Sequence, residues 1–178
     1  MIPDPTPDLP IETEIKLRIP AIEPLIPDLA IHGFWLETSA QEERSVLWDR
    51  GTELLEQGSA LRLRSYGGRC LLTWKGPKRE DPLLKIRPEI ETLVENPAAM
   101  EGILRALGYA PVMSMEKTRA VWRSAELTAC LDETPFGCFL ELEGAPEAIE
   151  QAMDAMGLEA FQVEPRSYPT LFREQGLA

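Results

Sequence analysis

The sequence has few of the residues that form metal clusters, disulfide frameworks and catalytic triads in small proteins. Its 178 residues include one histidine, His32, and three cysteines with no CxxC pair. A lone histidine beside Gly33 is expected to be structural, which removes histidine-based triads and clusters of histidine ligands. The odd cysteine count argues against a disulfide framework and a zinc site, so small buried thiols are expected.

Targeting signals and long apolar runs are missing as well. The first ten residues are proline-rich and acidic, unlike a signal peptide, and no run is long enough to cross a bilayer. We therefore expect a soluble, cytoplasmic protein without a membrane partner. The formal net charge of -12 repels nucleic-acid backbones, so nucleic acid is not an expected partner either.

The domain organisation follows from length and composition. Apolar residues make up 44% of the sequence, which is enough for a chain of this length to bury a core. The proline-rich residues 1–10 predict an extended lead-in, because proline cannot donate to a β-ladder. We expect residues 11–178 to form one domain, and the sequence gives no indication of an oligomeric state.

The most informative stretch is residues 11–19, IETEIKLRI. In an extended strand its charged and polar side chains share one face and its apolar side chains share the other. For any single strand, the ordinary interpretation is a half-buried strand whose charged face meets water. Charged residues recur in step on several predicted strands: Glu12, Glu14, Lys16 and Arg18; Arg62 and Arg64; Lys85, Arg87, Glu89 and Glu91; Lys117 and Arg119; Glu141 and Glu143. This recurrence indicates one shared ionic surface.

The apolar periodicity predicts an antiparallel α+β domain of about eight strands and three or four helices. The predicted strands cover residues 11–19, 42–48, 60–64, 70–75, 84–94, 115–123, 126–132 and 139–143. The main predicted helices cover residues 20–33, 97–108 and 146–157, with a short helical piece at residues 53–56 and a last short helix after Tyr168. Prolines and glycines punctuate these segments at the predicted turns and helix ends.

The direction of the ionic faces follows from the helices. Amphipathic helices need an apolar surface to cover, and the apolar strand faces supply it, so a sheet that closes into a barrel turns its ionic faces inward. Such a lumen carries a large desolvation cost unless its charges are matched by a ligand. A polyanion with a divalent cation fits, because lysine and arginine bind phosphate oxygens while Mg²⁺ or Mn²⁺ takes carboxylates. No Walker-type glycine-rich loop is present, so side chains would hold the phosphates.

The ordered motifs resemble the CYTH superfamily of triphosphate tunnel metalloenzymes, which includes thiamine triphosphatases, inorganic triphosphatases and class IV adenylyl cyclases. The motifs are Glu12-x-Glu14-x-Lys16, Val46-Leu-Trp-Asp49, Ala60-Leu-Arg-Leu-Arg64, Leu72-Thr-Trp-Lys-Gly76, Arg87-Pro-Glu-Ile-Glu91, Glu116-Lys-Thr-Arg119, Leu131-Asp-Glu-Thr-Pro-x-Gly137, Leu140-Glu-Leu-Glu-Gly144 and Ser167-Tyr168. The resemblance spans about residues 11 to 172 and rests on the ordered set, since ExExK alone is weak.

The resemblance implies an eight-stranded antiparallel β-barrel with helices outside, whose tunnel binds a triphosphate with Mg²⁺ or Mn²⁺. The metal ligands it implies are Glu12, Glu14, Asp132, Glu141 and Glu143. The phosphate-binding residues it implies are Lys16, Arg62, Arg64, Lys75, Arg87, Lys117 and Arg119. Catalytic roles fall to Glu89, Glu91 and Lys117. Glu89, Glu91 and Asp132 would help position a second metal or the attacking water, and a carboxylate or a lysine would orient that water. Pro88 leaves open which of Glu89 and Glu91 faces the tunnel.

The leading hypothesis is metal-dependent hydrolysis of tripolyphosphate, thiamine triphosphate or a nucleoside triphosphate. One alternative is a class IV adenylyl cyclase that makes cyclic AMP from ATP, although no adenine-recognition element is evident in the sequence. A second alternative is a non-catalytic module that binds a phosphorylated ligand. The presence of both a basic and an acidic set favours catalysis, because a pure anion binder does not need so many carboxylates.

Overall fold

The computed structural model describes residues 9–177. Most of the predicted proline-rich lead-in, residues 1–8, lies outside the described residues. Within residues 9–177, none of the helices has the length and apolar character needed to cross a membrane.

Nine strands and five α-helices make up the described part of the chain. The strands are β1 (Ile11–Ile19), β2 (Trp35–Asp49), β3 (Ala60–Tyr66), β4 (Arg69–Lys75), β5 (Lys85–Leu93), β6 (Ala110–Arg123), β7 (Leu127–Thr134), β8 (Gly137–Gly144) and β9 (Gln162–Val163). The helices are α1 (Leu25–Ile31), α2 (Glu53–Glu56), α3 (Pro97–Ala106), α4 (Pro146–Ala155) and α5 (Tyr168–Glu174). A short 3₁₀ turn, Leu158–Ala160, follows α4.

The first eight strands form a closed antiparallel barrel, which confirms the predicted fold. Their order is β5-β4-β3-β2-β6-β7-β8-β1, and a β1–β5 pairing closes the ring. β1 is the closing strand: residues 11–14 pair with β5 and residues 14–19 pair with β8. The short β9 continues along β1 beside Leu17 and Arg18. Because a closed barrel has no unpaired edge, the charged inner faces of all eight strands surround one space.

Two large apolar clusters lie outside the barrel and are covered by helices. Leu17, Leu140 and Leu142 are fully buried in a cluster that also holds Leu29 of α1 and Ile149 of α4. A second cluster lies under α3, where Leu104 contacts Trp48 and Leu63. The helices therefore occupy the apolar side of the sheet, and the ionic faces are turned inward as the amphipathic pattern predicts.

Three predicted boundaries differ most from the structure, those of β2, α1 and β6, the last of which begins at Ala110 rather than at residue 115. β2 begins at Trp35 rather than at residue 42, because register shifts between Leu36 and Gln41 break the two-residue alternation over its first part. The predicted helix over residues 20–33 is shortened to α1, which has Pro24 at its N-cap. A proline at this position is compatible with the helix start but does not extend the helix toward residue 20.

Truncating a buried leucine of the outer core is expected to lower stability sharply. Leu140→Ala removes a fully buried side chain from the β8–helix interface and should cost about 2–5 kcal/mol of unfolding free energy. Urea denaturation followed by circular dichroism measures this loss. The matched control is Leu83→Ala, which truncates a 57% exposed leucine and should change stability by about 0.5 kcal/mol or less. Equal effects of the two substitutions would contradict the assignment of the core.

Candidate functional site: the charged cavity

The barrel encloses a cavity of about 1010 Å³ lined by the ionic strand faces, here called the charged cavity. All the sequence-predicted site residues line it except Asp132: Glu12, Glu14, Lys16, Arg62, Arg64, Lys75, Arg87, Glu89, Glu91, Lys117, Arg119, Glu141 and Glu143. Both Glu89 and Glu91 face the cavity, so the alternation of β5 survives Pro88. Arg18 lies on the same face of β1 but is paired with Glu164, 3.0 Å away.

One group of charges lies where β1 meets β4 and β5. Lys75 Nζ is 2.6 Å from Glu12 Oε1 and 2.7 Å from Glu89 Oε2, and Arg87 Nε donates to Glu12 Oε2 at 3.1 Å. Burial opposes ionisation of Glu12, but the charge of Lys75 and further bonds hold its pKa at about 2. Burial, and next the hydrogen bond with Glu12, raise the pKa of Glu89 to about 7. The two carboxyl groups therefore have opposite protonation preferences near neutral pH.

A second group connects β1, β5 and β8. Lys85 Nζ donates to Glu14 Oε1 at 3.0 Å, and Lys16 Nζ lies 3.5 Å from Glu141 Oε1. Lys16 is only 1% exposed. Burial lowers the pKa of Lys16 to about 7, although the charge of Glu141 opposes this shift. A lysine in this state can bind a phosphate as an ammonium group and exchange a proton near neutral pH.

Asp132 is the centre of a third group. It is fully buried, and its carboxylate accepts hydrogen bonds from Lys117 Nζ at 2.9 Å and from Arg119 Nε and Nη2, each at 2.6 Å. The hydroxyl of Tyr168 donates to the same carboxylate at 2.6 Å. Both oxygens already accept protein donors, so this arrangement favours an anchoring role. Metal binding by Asp132 stays a prediction.

Glu43 is a site residue that the sequence did not reveal. It is 2% exposed, and its carboxylate lies 3.5 Å from Arg64 and 3.7 Å from both Lys117 and Arg119. Although burial opposes ionisation, the charges of Lys117 and Arg119 hold the pKa of Glu43 far below its usual range. Its inward neighbours along β2 are Ser45 and Leu47 rather than charged residues. The pairing of Glu43 with Lys117 in the β2–β6 register is the signal that identifies it.

Lys85 and Tyr168 also belong to the site. Lys85 belongs to the charged face of β5, although the sequence does not indicate its role. Tyr168 belongs to the Ser167-Tyr168 motif, which does not by itself indicate a function for the tyrosine. Both line the charged cavity.

Arg62 differs from the other cations of the cavity. Among the described residues no hydrogen bond or ion pair engages its guanidinium, and its buried Nε has no partner. Burial, and next the charge of Arg64, lower the pKa of Arg62. Glu43 and Glu89 act on it only through longer-range attraction. The cavity thus contains a partly buried guanidinium whose donors are available to an anion.

The acidic donor set suits a hard divalent cation. Glu14 and Glu143 are directly opposite on β1 and β8, an arrangement that is unfavourable for two carboxylates without a cation. Burial, and next the charge of Glu12, raise the pKa of Glu143. No group of three or more carboxylate, cysteine or histidine side chains within residues 9–177 converges into a preformed metal cage. Mg²⁺ usually needs only one or two carboxylates and completes its shell with water and phosphate oxygens, so the residues present fit it.

Replacement of Glu89 tests whether this carboxyl group holds a proton in the folded protein. Between pH 4.5 and about 7, Glu89 is protonated in the folded protein but ionised in the unfolded chain. The contribution of this group to the free energy of unfolding therefore falls as the pH rises. Glu89→Gln should remove that fall and raise the unfolding free energy at neutral pH by about 1–3 kcal/mol.

Urea denaturation at several pH values within this window measures the effect. Glu150→Gln, on the exposed face of α4, is the control and should leave the pH dependence unchanged. An identical pH dependence in Glu89→Gln and the wild type would show that Glu89 is ionised in the folded protein.

Comparison with known proteins agrees with this fold. The CYTH domain family matches residues 10–168 of the chain. A protein of Methanocaldococcus jannaschii, named as a candidate adenylate cyclase, is 32% identical over 134 residues, which are 75% of this chain and 76% of that protein.

Two solved structures are similar in fold. A candidate adenylate cyclase from Vibrio parahaemolyticus has a TM-score of 0.77 at 20% identity, covering 92% of this chain and 98% of that one. A candidate adenylyl cyclase from Hippeastrum, described as having a dominant triphosphatase activity, has a TM-score of 0.69 at 22% identity, covering 92% of this chain and 96% of that one. With the family matched over residues 10–168, the chain belongs to the CYTH domain family.

Proposed function

We propose that this protein hydrolyses a triphosphate with the help of a divalent cation inside the charged cavity. The observation that carries the proposal is Arg62, a partly buried guanidinium whose Nε is buried without a partner, in a cavity rich in lysine and arginine. Burying an unpaired cation is costly, and a bound phosphate would offset that cost. The dominant triphosphatase activity described for the Hippeastrum protein supports the same reaction.

Phosphate binding would exchange internal partners for ligand oxygens. Arg64 and Arg119 are paired with Glu43, Glu91 and Glu141, and Lys75 is paired with Glu12 and Glu89. A triphosphate offers these cations oxygens of higher charge, and guanidinium forks can bind them through two parallel hydrogen bonds. The released carboxylates would then repel one another, so a polyanion and a divalent cation would bind together.

The residues that would hold Mg²⁺ or Mn²⁺ are Glu12, Glu14, Glu141 and Glu143. A bound ion would supply charge neutralisation on the phosphate oxygens. Lys16, Arg62, Arg64, Lys75, Arg87, Lys117 and Arg119 would bind and orient the phosphates. Asp132 accepts hydrogen bonds from Lys117, Arg119 and Tyr168. It would thereby fix the positions of Lys117 and Arg119 without contacting the phosphates.

Proton handling falls to groups whose pKa lies near neutrality. Glu89, with a pKa of about 7, can accept a proton from an attacking water, and Glu91 beside it can orient that water. Lys16, also at about 7, can donate a proton to the leaving phosphate oxygen. A catalytic acid or base works best when its pKa is close to the working pH.

The attacking group decides between hydrolysis and cyclisation. At one end the cavity has an apolar wall formed by Leu47, Met113, Met115 and Phe172, which suits an organic group better than free phosphate. This wall and the names of the Methanocaldococcus and Vibrio proteins favour keeping ATP cyclisation as a second candidate function. In that reaction the ribose 3′-oxygen replaces water as the attacking group.

Phosphate release from tripolyphosphate, thiamine triphosphate and ATP, each with Mg²⁺ and with Mn²⁺, tests the proposal. Cyclic AMP is assayed in the ATP samples, and chelation of the metal should abolish turnover. Phosphate release that is lost in Glu14→Gln supports the triphosphatase, whereas cyclic AMP in place of phosphate supports the cyclase. Binding of tripolyphosphate without turnover of any substrate would leave a ligand-binding module and refute catalysis.

Arg62→Ala separates a role in binding substrate from a role in folding. The substitution removes no internal ion pair and relieves repulsion from Arg64 and Arg119, so thermal stability should be maintained. Loss of a charge-assisted phosphate contact should lower kcat/KM by roughly 10- to 100-fold. The matched control is Arg44→Ala, since Arg44 is exposed and is 3.7 Å from Glu116. Full activity in Arg62→Ala would exclude Arg62 as a phosphate ligand.

A further inference from the structure

Helix α5 places an aromatic ring among the buried cations of the charged cavity. Tyr168 is the first residue of this helix and lines the cavity. Lys16 Nζ lies over its ring, 3.7 Å from the centroid, and Lys117 Nζ lies over the same ring at 4.0 Å. Two lysines from distant strands, β1 and β6, therefore share one aromatic contact.

The ring face is a favourable contact for an ammonium group. The π-system carries negative charge on its face, and its attraction for a cation strengthens when water is excluded. Lys16 is 1% exposed and Lys117 is 9% exposed, so both contacts are largely desolvated. The ring can therefore hold each ammonium group in position without neutralising its charge, which leaves the charge available to a phosphate.

The hydroxyl of Tyr168 connects the same ring to a carboxylate. It donates to Asp132 Oδ2 at 2.6 Å, the oxygen that also accepts from Lys117. Burial, and next the charge of Asp132, raise the pKa of Tyr168 well above its usual range. The phenol consequently stays protonated and remains a hydrogen-bond donor.

Local structure fixes the position of the ring. Ser167 caps α5 by accepting a hydrogen bond from the backbone of Thr170, so the helix starts at a defined point. Phe139 contacts the Tyr168 ring edge to face, with centroids 5.6 Å apart. One turn later, Phe172 packs on Phe136 at 5.0 Å. The phenol is thus held by a capped helix and an aromatic cluster.

We propose that Tyr168 is a positioning residue that holds Lys16 and Lys117 in the geometry required to bind the triphosphate. The ring sets the positions of both ammonium groups, and the hydroxyl fixes Asp132, which in turn holds Lys117 and Arg119. This inference rests on the proposed function, because it assigns those lysines to substrate.

Other charged groups also face these two lysines. Lys16 is influenced by Glu14 on its own strand, by Glu141 of β8 and by Lys85 of β5. Lys117 contacts Glu43 of β2 and Asp132 of β7. These carboxylates attract the two ammonium groups by charge. The Tyr168 ring is the aromatic surface that Lys16 and Lys117 share.

Two substitutions separate the contributions of the ring and the hydroxyl. Tyr168→Phe keeps the ring and loses the bond to Asp132, whereas Tyr168→Leu keeps an apolar side chain and loses both. The wild type, both variants and Leu171→Val are compared. Leu171 is a buried residue of the same helix that does not line the cavity, so its variant reports a packing loss alone.

Three measurements are made on each protein. They are kcat/KM for tripolyphosphate hydrolysis, the tripolyphosphate dissociation constant from calorimetry, and the pKa of Lys16 from NMR titration of the lysine side chains. Tyr168→Leu should lower kcat/KM by roughly tenfold or more, weaken binding and lower the pKa of Lys16, since the ring favours the ammonium form. Tyr168→Phe should lower kcat/KM by about threefold, because Asp132 loses one of its donors, and should leave the pKa of Lys16 close to the wild-type value. Leu171→Val should leave all three quantities close to their wild-type values.

The outcomes separate failure of this inference from failure of the proposed function. Unchanged kcat/KM and binding in Tyr168→Leu would overturn the positioning role, and so would a loss of activity with an unchanged pKa of Lys16. A wild type that hydrolyses none of the triphosphates would refute the proposed activity. The titration and the calorimetry would still decide whether the ring positions Lys16 for an anion.

Discussion

The structure depends on burying opposite charges together inside a closed barrel. Each cation or carboxylate removed from water carries a desolvation cost that only well-placed partners offset. The strand registers supply these partners: Glu12 stands opposite Arg87, Lys16 opposite Glu141 and Glu43 opposite Lys117. The barrel has to close with this alignment, because a shift of one residue would turn the charges into the apolar layer.

The same constraint explains why the site would need two kinds of ligand. Most cations of the cavity are already paired, so a polyanion that takes them leaves carboxylates without partners. A divalent cation would compensate those carboxylates, which links phosphate and metal binding. Arg62 is different because no described residue pairs with it, so it could accept a phosphate without first giving up a carboxylate.

The apolar clusters outside the barrel stabilise the arrangement of charges inside it. Fully buried leucines on β1 and β8 pack against α1 and α4, which holds the strands in register for the ion pairs on their other face. Helix α5 has a different position, since its first residue reaches the buried lysines while Phe172 packs in an apolar cluster with Met113 and Met115. Helix α5 thus contacts the cations of the cavity through Tyr168.

The sequence determined the features that depend on local alternation and local caps. The charged faces of β1 and β5 and the helix ends marked by prolines and glycines follow from residues a few positions apart, and the predicted amphipathic helices indicate that the charged faces turn inward. The first part of β2 could not be predicted from alternation because register shifts interrupt it. Glu43 could not be predicted as a site residue because the inner face of β2 mixes polar and apolar side chains.

Only the tertiary structure decided which charges are partners. Lys75 and Glu12 are 63 residues apart in the chain, and whether Asp132 receives Lys117, Arg119 and Tyr168 depends on barrel closure and on where α5 docks. Alternation can be recognised within the sequence of one strand. An ion pair depends on the distance between side chains of two different strands, and the fold sets that distance.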